Sequence, residues 1–183
     1  NNALFGYEDL IDKELVDKIP YASITLKIGK GPQGLLILES VKDNQYTWLS
    51  ADNVFLVIKN GRLIRTQGLS NNLNKLIYPN SSLKLSEIDQ KNNYLHYYSY
   101  DRPVLINLKT EASYSSKGLQ KVKLLSGYRD LFLIEEYIKN DYLGWEFTNK
   151  YWVDEGKFVW KSEQFVSPKL PKFFIEVTKK PSK

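Results

Sequence analysis

The chain is expected to be mainly β, an antiparallel sandwich or barrel-like fold of two related β-units with one N-terminal helix. Three observations predict this. The 183 residues include 13 Tyr, 8 Phe and 4 Trp, many beside β-branched residues, a combination that suits pleated strands better than helices. Apolar-alternating runs recur every 8–12 residues or so between turn signals, the spacing of a sandwich or barrel. A segment also returns within the chain. Residues 60–69 read NGRLIRTQGL and residues 156–165 read GKFVWKSEQF; Trp48 lies 13 residues before Gly61 and Trp145 lies 11 before Gly156. A turn glycine followed by alternating apolar and cationic residues is a hairpin signal, and its recurrence predicts two equivalent turns, with Gly61 and Gly156 both at positive φ.

The helix is placed at residues 7–19. Leu10, Ile11, Leu15 and Val16 share one helical face, acids crowd the first turn where the helix dipole favours them, and Pro20 ends it. Ile24, Leu26 and Ile28 then alternate with polar residues, a half-buried strand. Gly29-Lys30-Gly31-Pro32 is a turn. Strands follow at 35–41, 45–49 and 54–59. Asn60-Gly61 fits a type I′ turn, since both residues accept positive φ, and leads into a strand at 62–66.

Residues 68–93 are rich in Asn and Ser and read as a connection between the two units, with one helical turn at 73–77. Asn80-Ser81-Ser82 matches a glycosylation acceptor pattern, an accidental match in a bacterial protein. Strands resume at 94–100, 104–113, 119–125, 131–138, 145–153, 157–161 and 173–177. The whole reads as a single compact domain, residues 1–183, built of β-units at about 20–70 and 94–178.

Hydrophobic content of 42% and charged content of 26% are ordinary for a globular protein. No apolar run approaches the ~18 residues of a membrane-spanning helix. The absence of cysteine excludes disulfides, thiolate metal sites and cysteine nucleophiles. Methionine is also absent, even at position 1, as in a processed or trimmed chain. The net charge of +5 is uneven: residues 8–18 are acidic, whereas the tail carries Lys169, Lys172, Lys179, Lys180 and Lys183 against Glu176. Such a tail either binds acidic polymers or phosphates, or simply solvates the end of the chain.

No catalytic constellation stands out, and neither a metal nor a cofactor is expected. His96 is the one histidine and lacks the companions of a triad or a zinc site, so it reads as an ordinary strand residue. Glu135-Glu136 and Asp154-Glu155 are adjacent carboxylates. Neighbours on a strand point to opposite faces, so neither pair alone can flank a glycosidic bond. Trp145, Tyr151, Trp152, Phe158 and Trp160 either pack as the core of the C-terminal unit or expose rings for stacking on sugars, with Asn149, Lys161 and Gln164 bonding hydroxyls. On alternation, Trp152 opposes Tyr151, while Phe158 and Trp160 share a face. Arg62 and Arg65 could hold an anionic polymer; the alternative is a solvated strand face. Nucleic acid is not an expected partner, because no recognition module is present.

With these residues laid out, the chain resembles the YjbF/GfcB family of bacterial lipoproteins, linked to group 4 capsule and exopolysaccharide operons. An acidic helix is followed by Ile19-Pro20-Tyr21-Ala22-Ser23, then Trp48, then the 60–69 segment. Asn149-Lys150-Tyr151-Trp152-Val153-Asp154, Gly156 and Ser162-Glu163-Gln164-Phe165 complete the pattern, which covers most of the chain. The resemblance implies a lipidated cysteine upstream of residue 1 and a location at the periplasmic face of the outer membrane. It also implies a non-catalytic accessory role in polysaccharide assembly or export, with glycan or export proteins as partners. A polysaccharide-modifying hydrolase of the same pathway is the second reading, and a structural scaffold for an outer-membrane or secretion partner the third.

Overall fold

Twelve strands form one antiparallel sheet in the order β5-β4-β3-β2-β1-β12-β11-β10-β9-β8-β7-β6. The computed structural model of the protein describes residues 11–79 and 85–182. Strands β1 (Ser23–Ile28), β2 (Gln33–Lys42), β3 (Gln45–Ser50), β4 (Phe55–Lys59) and β5 (Arg62–Gln67) form a meander. A second meander runs through β6 (Leu73–Ile77), β7 (Tyr94–Asp101), β8 (Val104–Leu124), β9 (Gly127–Asn140), β10 (Trp145–Val153), β11 (Val159–Gln164) and β12 (Phe173–Lys179). The terminal strands β1 and β12 pair with each other, Ile24 opposite Val177 and Leu26 opposite Ile175. The seam therefore falls in mid-chain, between β5 and β6.

Side chains bridge that seam. The Leu73 N–H donates to Thr66 Oγ1 (2.9 Å), the Leu69 N–H to Asn72 Oδ1 (3.0 Å) and the Asn72 N–H to Asp101 Oδ1 (2.7 Å). The sheet thus curls into a nearly closed barrel. Its interior holds Ile24, Leu36, Leu56, Leu63, Ile138, Tyr151 and Phe173, all fully or almost fully buried.

The helix is shorter than expected. Helix α1 spans Lys13–Lys18; the expected start at residues 7–10 lies outside the described residues, as does Asn80-Ser81-Ser82. Asp12 caps α1 by accepting the Leu15 N–H at 2.8 Å, and Ile19 is already extended before Pro20. The helical turn expected at 73–77 is strand β6, which pairs with β7; a partner strand outweighs a weak local signal. The two strands expected at 104–113 and 119–125 are one strand, β8. A bulge at Lys117-Gly118, with Gly118 at φ 81°, bends it without breaking it.

That bend has a consequence. The distal part of the β8–β9 hairpin folds back over the outside of the barrel. The Leu125 N–H donates to Glu176 Oε1 (2.5 Å), Trp152 Nε1–H to Gln120 Oε1 (3.2 Å), and the Arg129 guanidinium lies 3.8 Å from the Trp160 ring centre. Both faces of β10 are covered as a result, and Tyr151, Trp152 and Val153 are all buried.

The two recurring segments are not equivalent turns. Asn60 (φ 50°) and Gly61 (φ 81°) form the expected positive-φ pair. In the second segment the left-handed residue is Lys157 (φ 70°), and Gly156 lies outside that region. Asp154 builds this longer turn, its Oδ1 accepting the Phe158 N–H at 2.9 Å. The segments instead meet in space. The Leu63 N–H donates to Gln164 Oε1 (2.9 Å) and Gln164 Nε2–H to the Gly61 carbonyl (2.9 Å). Gln164 thereby satisfies edge strand β5 where no neighbouring strand does.

Candidate functional site

Alternation along β7, β8, β9 and β10 sends His96, Tyr114, Glu136, Asn149 and Tyr151 into the barrel, where Arg62 from the start of β5 joins them. They form one buried polar network. Glu136 has no solvent exposure and Arg62 is 3% exposed. Arg62 Nη1 and Glu136 Oε2 form a salt bridge. Tyr114 donates to Glu136 Oε2 (2.5 Å), and Asn149 Nδ2–H (2.9 Å) and Tyr151 (3.3 Å) donate to Oε1. Tyr114 oxygen accepts from Arg62 Nη2 (3.1 Å). Because the Tyr114 proton is committed to Glu136, its 3.2 Å contact with His96 Nε2 requires a proton on that nitrogen. The neutral imidazole then leaves Nδ1 as an acceptor without a partner among the described residues.

Burial raises the Glu136 carboxyl, but the attraction of Arg62 and the hydrogen bonds from Tyr114 and Asn149 outweigh it and hold it at about 2. Burial lowers His96 to about 4, assisted by Arg62 and opposed by Glu136. Both depressions act in the same direction. Between about pH 6.5 and 4 the unfolded histidine binds a proton that the folded one refuses, and between about pH 4.5 and 2 the same holds for the carboxyl. Stability should therefore fall as pH falls, first through His96 and then through Glu136. Urea midpoints measured from pH 7 to 4 should decline, and His96→Phe should flatten that decline; a midpoint independent of pH in the wild-type protein would contradict this assignment.

Adjacent carboxylates separate by face, as strand geometry requires. Glu135 points outward, within 3.6 Å of Lys117 and 3.9 Å of Lys150. Of the residues expected to contact ligand, Arg62, Asn149, Tyr151 and Gln164 are interior. Gln164 extends the network, lying 3.4 Å from the Tyr151 hydroxyl and donating to Ser162 Oγ at 2.9 Å. Arg62 is thus not on a solvated face: it is buried beside Leu63 at the start of β5, and Glu136 repays its desolvation. Arg65 is exposed on β5 opposite Val57. Trp145 belongs to an aromatic stack with Phe147 (4.4 Å), Tyr98 (6.0 Å) and Tyr100 (6.4 Å) near the β9–β10 turn.

Trp160 and Lys161 reach an open cleft. The meander puts the β2–β3, β4–β5 and β10–β11 turns and the end of β12 at one mouth of the barrel, where they enclose about 330 Å³, within the usual range for small-ligand sites. Tyr46, Trp48, Phe158 and Trp160 line it, together with Ile24, Ile58, Val159 and Ile175. Asn44 Nδ2–H donates to Asn60 Oδ1 (2.9 Å) at the rim. Lys157, Lys161 and Lys180 complete the wall. A bulge opposite Trp152/Val153 shifts the alternation of β11. Val159 consequently abuts Gly61, while Trp160 lies against Arg129, its Nε1–H bonded to Asp154 Oδ2 at 2.8 Å. Ser162 lines the cleft and touches Gln164, so the buried network braces the cleft wall from behind. Tyr46 and Asn44 escaped sequence reasoning, and Trp48 and Lys180 stood out only as part of the recurring pattern and of the basic tail, because only the β1–β12 pairing brings these strands and the tail together.

Comparison with known proteins agrees with this architecture. The family model described as group 4 capsule polysaccharide lipoprotein gfcB, YjbF, matches residues 2–178. The chain is 24% identical over 169 residues to the uncharacterized lipoprotein YjbF of Escherichia coli K12, covering 90% of this chain and 79% of that protein. It is 35% identical over 72 residues to the uncharacterized lipoprotein GfcB of the same organism, covering 39% and 34% respectively. The crystal structure of the hypothetical lipoprotein YmcC from E. coli K12 superposes with a TM-score of 0.82 at 20% identity, over 96% of this chain and 92% of that one, which shows a shared fold. With the family pattern running from the helix to the last strand, the chain belongs to the YjbF family of group 4 capsule polysaccharide lipoproteins.

Proposed function

We propose that the protein is a non-catalytic accessory of capsule or exopolysaccharide assembly and export that acts by binding glycan at the barrel mouth. In this reading a lipid anchor holds it at the periplasmic face of the outer membrane, beside export proteins. One observation carries the preference for binding over cleavage. Among the described residues the cleft wall presents rings, amides and lysines but no carboxylate, whereas Glu136 is sealed inside the barrel and Asp154 is committed to Trp160 and the Phe158 N–H. Aromatic faces with flanking amides suit a sugar ring, apolar on its faces and hydroxylated at its edges.

The test uses purified protein and surface polysaccharide from a producing strain. Retardation of the protein in a polymer-containing gel, with polymer chain length unchanged by size exclusion, is expected. Shortening of the polymer would replace this reading with that of a hydrolase. No retardation, together with unchanged surface polysaccharide on gene deletion, would remove the glycan role altogether.

A further inference from the structure

We infer that the cleft at the barrel mouth selects an acidic saccharide, its anionic group held by Lys157 and Lys180; this rests on the reading that the cleft binds glycan. Charge is the first ground. Both lysines line the cleft, and neither forms an ion pair among the described residues. Elsewhere on this surface, lysines do find carboxylates: Lys172 bonds Glu163, and Lys117 and Lys150 approach Glu135. Asp154 and Glu176 lie near the cleft without lining it: Asp154 accepts from Trp160 and Phe158, and Glu176, whose charge reaches Lys161, accepts the Leu125 N–H. Among the described residues the cleft is lined by lysines and by no carboxylate, so its wall is net positive, the condition for attracting an anion.

Rings hold Lys180 in place. Its Nζ sits 4.2 Å from the Phe158 ring centre and 5.8 Å from that of Trp160, whereas Lys161 Nζ sits 5.2 Å from that of Trp152, beneath the outer hairpin. Cation–π contacts orient an ammonium while leaving its protons free to donate. The second ground is Trp48. It lines the cleft and is 4% exposed, and its buried Nε1–H has no acceptor among the described residues. An unmatched buried donor is costly, and a ligand oxygen would satisfy it. A neutral apolar ligand would use neither feature. A plain anion would leave the aromatic walls uncovered. An acidic sugar residue uses both.

The experiment is a tryptophan-fluorescence titration of the intact protein, since Trp48 and Trp160 report on the cleft. The probes are an oligo-uronate and the same oligomer with its carboxyls reduced to hydroxymethyl groups. The oligo-uronate should bind more tightly by about tenfold, a margin that shrinks as salt screens the lysines. Lys157→Gln/Lys180→Gln, two changes at exposed residues expected to leave the urea midpoint unmoved, should erase the margin. Equal binding of the two oligomers would overturn the acidic selectivity and leave the glycan reading standing. Failure of both to bind would overturn the glycan reading at this cleft. A margin that survives the double substitution would place the anion elsewhere and overturn the assignment. A response to an anionic single-chain detergent but to neither oligomer would overturn it in favour of an acyl ligand.

Discussion

Arg62→Met is expected to destabilise the fold by about 3–5 kcal/mol, the cost of leaving a buried charge unpaired. Glu136 has no exposure, and it loses the guanidinium that holds its carboxyl at about 2. It must then either stay ionised without a counter-charge or take up a proton near neutral pH, and both options disfavour the native state. Arg62 also lies 4.9 Å from the Tyr78 ring centre and 5.7 Å from that of Tyr151, contacts that methionine replaces only in part. The double variant Arg62→Met/Glu136→Gln removes both charges and keeps the amide–phenol hydrogen bonds within reach. It should recover much of the loss, because neutral replacements of similar shape avoid the desolvation of an isolated ion. Urea unfolding of the wild type, both single variants and the double variant closes the cycle. A single-variant cost below about 1 kcal/mol, the range of exposed pairs, would show that this pair does not sit in a dry interior.

Gly61→Val is expected to cost about 2–5 kcal/mol, combining backbone strain with overpacking. At φ 81° a side chain is already disfavoured. A Cβ built there would also stand 2.5 Å from Val159 Cβ, well inside contact distance, so β5 and β11 would have to part. That separation pulls on the Gln164 bridge and hence on the cleft wall. Gly61→Ala/Val159→Ala should recover part of the packing loss and none of the strain. Gly156→Ala is the matched control. Gly156 is exposed and outside the left-handed region, so its cost should stay below about 1 kcal/mol, as for most surface substitutions. Comparable losses at Gly61 and Gly156 would contradict the distinction between the two turns.

Much of the fold was legible because it is local. Alternation in 94–100 placed β7, Asn60-Gly61 specified its own turn through two residues that tolerate positive φ, and Pro20 stopped the helix. The places where expectation and structure part are places where a distant partner decides. Residues 73–77 carry leucine and isoleucine at helical spacing, yet β7 offers them a ladder. Lys117-Gly118 looks like a break, yet β9 runs past it and turns the break into a bulge. Gly156 resembles Gly61 in local sequence, yet the Asp154 side chain builds a longer turn and moves the left-handed position to Lys157.

The candidate site divides in the same way. Sequence reasoning singled out Arg62, Arg65, Trp145, Asn149, Tyr151, Trp160, Lys161 and Gln164. The structure sends Arg62, Asn149, Tyr151 and Gln164 inside, packs Trp145 among aromatic rings, leaves Arg65 exposed and brings Trp160 and Lys161 to the cleft. A period-2 pattern says which residues share a face, but not what that face meets. Arg62 reads as a surface residue until Glu136, 74 positions away in the chain, supplies the charge that makes its burial tolerable.

By itself, then, the sequence determined that this is a β-rich chain of the capsule-lipoprotein family, with its strand faces and its one tight hairpin turn, because backbone conformation and alternation are written in neighbouring residues. Only the tertiary structure decided that the terminal strands pair and the seam falls in mid-chain. It alone decided that a hairpin folds over the outer face and that the aromatic residues near the C-terminus are mostly packed. The cleft arises where strands from both meanders meet. Each of these depends on which surfaces bury each other, and such pairings are selected by the free energy of the assembled barrel, with no local signal to mark them.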